Sequence, residues 1–181
     1  DERGFIKRDK FFETNAKGVY VVGDASGKHM LQHAAAYEIN HLGRILLEDC
    51  KEPLHFKYMP HAVFTEPEIA SVGITEQKAK EKNIKYVTST TNWLASAKAM
   101  STRLHYPVTK FLINPDNYEI LGCHMIGPES STMMHQVLAV MHINNDVRHI
   151  KEMLYIHPAL SEALLPAAVA AVKEVEKYNK K

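Results

Sequence analysis

The segment of residues 155–164, YIHPALSEAL, places a histidine, a proline and a glutamate ahead of an alanine-rich stretch. An imidazole exchanges protons near neutral pH, so His157 is a candidate acid or base. Glu162 could hold one ring nitrogen, which would fix the tautomer and raise the basicity of the other nitrogen. Pro158 suits the first turn of a helix. An exposed histidine, a helix-starting proline and a first-turn glutamate would explain the same spacing at least as well.

A second candidate lies near the start of the chain, where Gly23 and Asp24 stop the short apolar run of residues 19–22. Such a run predicts a strand that is buried on both faces, as in a parallel sheet. A carboxylate at the end of that strand lies where α/β folds bind ligands, so Asp24 could accept hydrogen bonds from a polyol. The N–H groups near Met30 and Leu31, at the start of the next helix, could face a partial negative charge. The dipeptide alone is more simply explained as a turn.

The histidines and cysteines do not predict a metal site. His29 and His33 lie four apart, but the sequence fixes no third ligand near them, so no metal is predicted. Cys50 and Cys123 are far apart, and their spacing fits neither a disulfide scaffold nor a CxxC centre. Their usage fits a reducing compartment, and we expect a cytoplasmic protein.

Charge and hydropathy exclude two classes of partner. The formal net charge is +1, with Lys and Arg spread along the chain, so neither a nucleic-acid-binding stripe nor a membrane-binding face is predicted. No apolar run reaches the length of a membrane span, and no signal peptide is visible. The chain of 181 residues opens with Asp1 rather than Met, and we interpret it as part of a longer protein.

Residues 1–50 have the pattern that ends an α/β domain: a strand, a glycine turn and a helix. The helix is predicted over residues 29–49 because apolar residues recur at helical spacing and alanine favours the conformation. Pro53 and Pro60 then break regular structure, which indicates a linker before a second domain over residues 55–181. The predicted apolar face of the helix comprises Leu31, Ala34, Ala35, Ile39, Leu42, Ile45 and Leu46.

The second domain is predicted to be α+β, with an antiparallel sheet flanked by helices, because strands are followed by helices without strict alternation. Thr75 is the expected cap of a short helix, and residues 114–117, NPDN, have hairpin-turn chemistry. Strands are predicted at 61–65, 84–90, 108–114 and 118–127. Three closing helices are predicted. The inward face of the first comprises Met134, Val137, Leu138 and Met141, and that of the second, after an Asp146 cap, comprises Val147, Ile150 and Leu154. The inward face of the third comprises Leu164, Ala168, Ala171, Val172 and Val175.

Four segments, in order, resemble the flavoprotein disulfide reductases, most of all the dihydrolipoamide dehydrogenases. They are TNAKGVYVVGDASG, FTEPEIASVGITEQKAKE, ILGCHMIGPESSTMM and HPALSEAL. The resemblance covers nearly the whole chain, and four motifs in the family's order make a chance match untenable. It favours the functional interpretation of both candidate segments.

The resemblance implies specific roles and cofactors. Asp24 would bind the ribityl chain of FAD, and the helix that starts near Met30 and Leu31 would point its N–H groups at the flavin ring. Residues from about 55 onward would form the interface domain of a homodimer. His157 would enter the partner's active site as the acid/base for a lipoamide-type dithiol, with Glu162 orienting it. The His157-Pro158 peptide would be cis. NAD would accept the electrons, and the dithiol could be carried on a 2-oxo acid dehydrogenase complex.

Departures from the family pattern leave alternatives open. The two redox cysteines and the glycine-rich nucleotide motifs are absent, so this chain alone is expected to be inactive, a dimerisation module without turnover. The ending EVEKYNKK has no cysteine pair, which argues against mercuric reductase. The ALSE sequence after His157-Pro158 is closer to the lipoamide type than to glutathione reductase. We further expect Met133, Met134, Met141 and residues 167–171 to supply apolar surface for the second subunit.

Overall fold

The computed structural model describes residues 1–180, which divide into two compact units. The first unit comprises Asp1–Lys57 and the second begins at Tyr58. The predicted domains, 1–50 and 55–181, concern the larger protein and stay a prediction. Among the described residues no helix is long and apolar enough to cross a membrane.

Residues 19–22 of the first unit do not form the predicted strand of a parallel sheet. Tyr20 makes a single antiparallel bridge to Glu13, and the backbone N–H of Val21 donates to Phe12 O at 2.9 Å. The chain turns back at once, with Val19 N donating to Ala16 O at 3.0 Å, so the apolar run pairs with the residues just before it. Val19 is consequently 53% exposed, so the run is not buried on both faces within this chain.

The helix α1 spans Gln32–Leu47 and packs against a 3₁₀ turn at Gly23–Ser26. Its buried face differs from the predicted one because a buried ion pair occupies it. Glu38 accepts from Arg8 Nη2 at 2.5 Å, and both side chains are almost completely buried. The other oxygen of Glu38 accepts from Gly23 N at 2.7 Å, which ties the 3₁₀ turn to the helix. Ile39 and Leu46, predicted inward, are about half exposed.

The second unit contains five strands and five helices within the described residues. All strand pairs are antiparallel, in the order β1-β2-β5-β4-β3. The strands are β1 His61–Val63, β2 Ile69–Gly73, β3 Val87–Asn92, β4 Val108–Ile113 and β5 Ile120–Ile126. The helices are α2 Glu76–Glu81, α3 Ala97–Ser101, α4 Ser130–Ile143, α5 Val147–Glu152 and α6 Leu164–Tyr178.

Two helices pack on the sheet and enclose the core. The helix α4 packs on β1, β2 and β5, whereas α6 packs on β3 and β4 and is itself covered by α5. Alternate residues of the strands, such as Val72, Phe111 and Cys123, point into this core and are fully buried. The residues between them form a polar row across all five strands: His61, Ser71, His124, Lys110 and Thr90.

Local signals in the sequence predicted most of these elements. The α+β fold is confirmed, and so are the caps: Thr75 Oγ1 accepts from Lys78 N at 3.2 Å, and Asp146 Oδ1 accepts from Arg148 N at 2.8 Å. The inward face predicted for α6 is buried throughout. The strand β2 was not predicted. Leu154 is fully exposed, because α5 ends at Glu152.

The methionine and alanine faces proposed as dimer surface are used inside the chain. Met133, Met134 and Met141 are at most 4% exposed, and Ala167, Ala168 and Ala171 at most 1%. These residues belong to the core between the helices and the sheet. For these six residues the prediction of apolar surface for a second subunit is therefore wrong, because they pack in the chain's own core. Val169 and Ala170, which belong to the same predicted run, are half-buried.

Candidate functional site

The side chains of His157 and Glu162 meet at the start of the last helical segment. The Nδ1 atom of His157 lies 2.8 Å from Oε1 of Glu162, which is the contact expected from the sequence. A 3₁₀ turn at Leu160–Ala163 positions the glutamate, and Leu160 and Ala163 anchor that turn in the core. The His157-Pro158 peptide is cis, as the resemblance implies. The imidazole is 66% exposed, whereas the glutamate side chain is only 19% exposed.

This geometry assigns the imidazole tautomer. An ionised carboxylate only accepts hydrogen bonds, so Nδ1 of His157 carries the proton that is shared with Glu162. In the neutral ring, Nε2 then holds a lone pair and is the basic nitrogen. The arrangement can therefore accept a proton at Nε2 from a group outside the ring and return it.

A second hydrogen bond keeps the carboxylate ionised. Oε2 of Glu162 accepts from the backbone N–H of Ala159 at 2.8 Å. This bond, and to a smaller extent the bond to His157, lowers the pKa of Glu162 below its ordinary value. Because both oxygens are engaged, the carboxylate has one orientation and holds the imidazole in a fixed plane.

One contributor to the site was not found in the sequence. The hydroxyl of Ser96, which is 2% exposed, donates to the carbonyl of Ala159 at 3.2 Å. The two residues are 63 positions apart, and no motif relates them. Only the pairing of the strands and the packing of α3 against the 3₁₀ turn bring them together, so no sequence signal could have identified Ser96.

The residues expected to hold a cofactor lie in the first unit. Asp24 is exposed on the 3₁₀ turn Gly23–Ser26, and Met30 is 63% exposed. Leu31 is the N-cap residue of α1, and no side chain caps that helix start. The exposed carboxylate can accept hydrogen bonds from hydroxyl groups. The uncapped helix N-terminus offers N–H donors to a group with partial negative charge. Both features suit the polyol and ring of a flavin.

Other candidate groups are not assembled into sites. Among residues 1–180 no group of three or more His, Cys, Asp or Glu side chains is placed to hold a metal ion. The ring of His29 makes an edge contact with Phe56 at 5.2 Å. Cys50 and Cys123 are free thiols, and burial raises the pKa of Cys123 well above its usual range, so that thiol is not a nucleophile.

Comparison with known families identifies the second unit. Residues 59–168 match the pyridine nucleotide-disulphide oxidoreductase dimerisation domain. The chain belongs to this family. The matched residues of the dimerisation domain include the whole sheet, His157 and Glu162, whereas Asp24, Met30 and Leu31 lie outside them.

Individual relatives are disulfide reductases. Dihydrolipoyl dehydrogenase of Vibrio parahaemolyticus is 31% identical over 168 residues, which is 93% of this chain and 35% of that protein. Dihydrolipoyl dehydrogenase 3 of Haloarcula marismortui is 29% identical over 98% of this chain and 37% of its own length. This chain therefore spans little more than a third of these relatives.

A solved structure has the same fold. The HOCl-induced flavoprotein disulfide reductase RclA from Escherichia coli superposes with a TM-score of 0.87 over 93% of this chain and 39% of its own, at 24% identity. The predicted dimerisation-domain fold and the predicted family are thus confirmed. The family's description also names the oligomer-forming role of this domain.

Proposed function

We propose that the chain is the C-terminal, dimer-forming portion of an FAD-dependent dihydrolipoamide dehydrogenase. The parent reaction is dihydrolipoamide plus NAD⁺ giving lipoamide, NADH and a proton. The observation that carries the proposal is the 2.8 Å contact between His157 and Glu162, with the imidazole exposed. Relatives with this domain are dihydrolipoyl dehydrogenases, which supports this substrate class.

The proposed step at His157 is a proton transfer that enables thiol–disulfide exchange. The substrate thiol gives its proton to Nε2, and the resulting thiolate attacks one sulfur of the redox disulfide. A mixed disulfide forms, the S–S bond breaks, and the other sulfur leaves as a thiolate. The base is needed because a thiolate attacks a disulfide far better than a thiol does. In the reverse direction the imidazolium returns the proton.

Glu162 is proposed to orient the base and to stabilise its charged form. The carboxylate holds the Nδ1 proton, so Nε2 is the nitrogen that meets the substrate. When Nε2 is protonated, the adjacent negative charge stabilises the imidazolium. The exposure of His157 within its own chain supports a base that works on sulfur atoms supplied by the partner subunit of a homodimer.

FAD would be held by residues of the first unit in the parent enzyme. Asp24 would accept from the ribityl hydroxyls, and the N-terminus of α1 near Met30 and Leu31 would face the ring. When bound, FAD would supply the electron transfer from the dithiol to NAD. The fixed turn supports this assignment, since Glu38 bonds the N–H of Gly23 directly before Asp24. We assign no residue of this chain to NAD.

The setting of the enzyme is part of the same proposal. Two free cysteines favour a reducing, cytoplasmic location. The dithiol would be free dihydrolipoamide or a lipoyl group on a 2-oxo acid dehydrogenase complex. A disulfide reductase with another substrate is the second candidate, and the fold similarity to RclA favours it.

Steady-state assays on the full-length, flavin-containing parent test these candidates. We expect NAD reduction driven by dihydrolipoamide, with little NADPH oxidation driven by glutathione disulfide. Efficient glutathione turnover without dihydrolipoamide turnover would contradict the lipoamide assignment and leave the family assignment intact.

A further inference from the structure

We propose that Ser96 is a positioning residue for the His157–Glu162 pair, through its hydrogen bond to the carbonyl of Ala159. This inference rests on the proposed function, because it concerns how the proposed base is oriented. Ser96 touches neither side chain of the pair. It acts on the peptide group that binds the carboxylate.

The hydroxyl of Ser96 has two partners in a nearly dry position. It donates to Ala159 O at 3.2 Å and accepts from Ala99 N, at the start of α3, at 3.5 Å. The residue is 2% exposed, so water does not replace a lost partner freely. The single hydroxyl proton is directed at the His157 segment, because the bond to Ala99 uses the oxygen only as an acceptor.

Ser96 is fixed from the sheet side. Its backbone N–H donates to the carbonyl of Trp93 at 2.9 Å. The indole Nε1 of Trp93 donates to Thr109 Oγ1 at 2.9 Å, and Thr109 lies on β4. Trp93 and Thr109 are both buried. A continuous series of hydrogen bonds therefore runs from the rigid sheet to the carbonyl of Ala159.

The peptides of Ala159 connect this series to the carboxylate. The N–H of Ala159 donates to Oε2 of Glu162, while its carbonyl accepts from Ser96. A shift of the Ala159 carbonyl would also move the N–H of Ala159, which binds Oε2 of Glu162. Because Oε1 of the same carboxylate binds the imidazole, the shift would reach His157. The N–H of Glu162 also donates to the Ala159 carbonyl, at 3.3 Å within the 3₁₀ turn, so Ser96 is its partner from outside the turn. On the exposed side, Leu154, Ile156 and His157 lie open to solvent.

Loss of the Ser96 hydroxyl should consequently loosen the carboxylate and redistribute the tautomers of His157. With Glu162 in place, the Nδ1–H form dominates. Once the carboxylate becomes mobile, the ring populates the Nε2–H form, in which the nitrogen that faces the substrate is no longer the base. A residue that only stabilised the fold would leave this tautomer ratio unchanged.

Nitrogen NMR on the chain, labelled with ¹⁵N-histidine, measures that ratio directly. His157→Gln assigns the signal, and Ser96→Ala is the test variant. We expect Ser96→Ala to increase the Nε2–H fraction of His157, and Ser96→Thr, which keeps the hydroxyl on a β-region backbone, to restore the original ratio. Ser101→Ala is the matched control, because Ser101 donates only to Lys98 O within α3.

A second control separates stability from positioning. Val72→Ala removes buried volume in β2, which pairs with β1 and β5, and should lower the stability of the unit at a position outside the hydrogen bonds of the His157 segment. If Ser96→Ala does not fold, Ser96→Cys, which retains most of the volume but is a weak donor, takes its place. A folded Ser96→Ala or Ser96→Cys chain with the original tautomer ratio overturns the proposal, as does an equal change in Val72→Ala.

Kinetics of the flavin-containing parent distinguish failure of this inference from failure of the function. We expect Ser96→Ala to lower kcat about 5-fold with little change in KM, the effect of one neutral hydrogen bond. If His157→Ala is inactive but Ser96→Ala has wild-type kcat and tautomers, the positioning role alone fails. If His157→Ala is fully active, the proposed function fails, whatever the tautomer data show.

Discussion

Glu162 binds His157 and its own helix start with a single carboxylate: Oε1 lies 2.8 Å from Nδ1 of His157, and Oε2 lies 2.8 Å from the N–H of Ala159. The carboxylate thus converts an exposed imidazole into one with a fixed tautomer. Its geometry depends on backbone groups as much as on the histidine.

Glu162→Gln in the flavin-containing parent should lower kcat for dihydrolipoamide oxidation about 10-fold, because the neutral amide oxygen is a weaker acceptor for Nδ1 of His157 and does not stabilise the imidazolium, while the base remains. The flavin spectrum should not change, since Glu162 is not assigned to the cofactor. Stopped-flow reduction of the flavin by dihydrolipoamide measures the affected step. A rate equal to wild type would show that the carboxylate does not orient the base.

The same carboxylate should make stability depend on acid pH. The N–H of Ala159, and then His157, lower the pKa of Glu162 below the ordinary 4.5. Its stabilising contribution is therefore complete above pH 4.5 and is lost as pH falls through the lower, folded-state pKa. The difference in the free energy of urea unfolding between wild type and Glu162→Gln should shrink as pH falls below 4.5, where Glu162 takes up a proton. A difference that does not shrink below pH 4.5 would contradict the assignment.

His124 should give the stability of the fold a second pH dependence, which comes from a buried histidine rather than from a carboxylate. Burial lowers the pKa of this histidine below its usual 6.5, and Lys110 and His61 lower it further. The bond between Nε2 and the carbonyl of Ile74, at 3.1 Å, opposes that shift but does not cancel it. The unfolded chain therefore takes up a proton first, and stability should decline as pH falls below about 6.5.

Comparison of urea midpoints at pH 7.5 and 5.5 measures the effect of His124. His124→Gln should show a smaller decline between these values than wild type. His135→Gln, at an exposed position of α4, should retain the wild-type decline. Equal declines in wild type and His124→Gln would mean that His124 is not the titrating group.

The buried ion pair of Arg8 and Glu38 should dominate the stability of the first unit. Glu38→Gln removes the charge opposite Arg8, whose Nη2 lies 2.5 Å away, and weakens the acceptor of the N–H of Gly23. Breaking a buried pair costs about 3–5 kcal/mol. Limited proteolysis should accordingly cleave near residue 23 faster in Glu38→Gln, whereas Glu48→Gln, in the exposed pair with Arg44, should match wild type.

Sequence reasoning succeeded where a short segment contains its own signal. The Thr75 and Asp146 caps, and the hairpin at residues 114–117, depend on neighbours within a few positions. It failed where a residue distant in the sequence determines the local structure. The strand β2 exists because β5 and β1 pair with it, and within this chain the run at 19–22 is bridged to the segment just before it.

The residues of the candidate site likewise fall into those that local sequence could predict and those that it could not. His157 and Glu162 are five positions apart, so their contact could be predicted from spacing and resemblance. Ser96 could not be found, since its contact with Ala159 spans 63 positions. Helix periodicity identified the apolar faces of α4 and α6 but not what they cover. Those faces cover the chain's own sheet, not a second subunit.

The kinetics of His157→Ala in the full-length, flavin-containing dimer test the central claim most directly. His149→Ala is the matched control, because His149 is also exposed and also faces a glutamate, Glu152, at 3.7 Å. We predict that His157→Ala slows dihydrolipoamide oxidation by about two to four orders of magnitude, the usual effect of removing a positioned base. His149→Ala should stay within about 2-fold of wild type, a change too small for a lost base. Turnover by His157→Ala equal to that of the control, with flavin fully bound in both, would contradict the account.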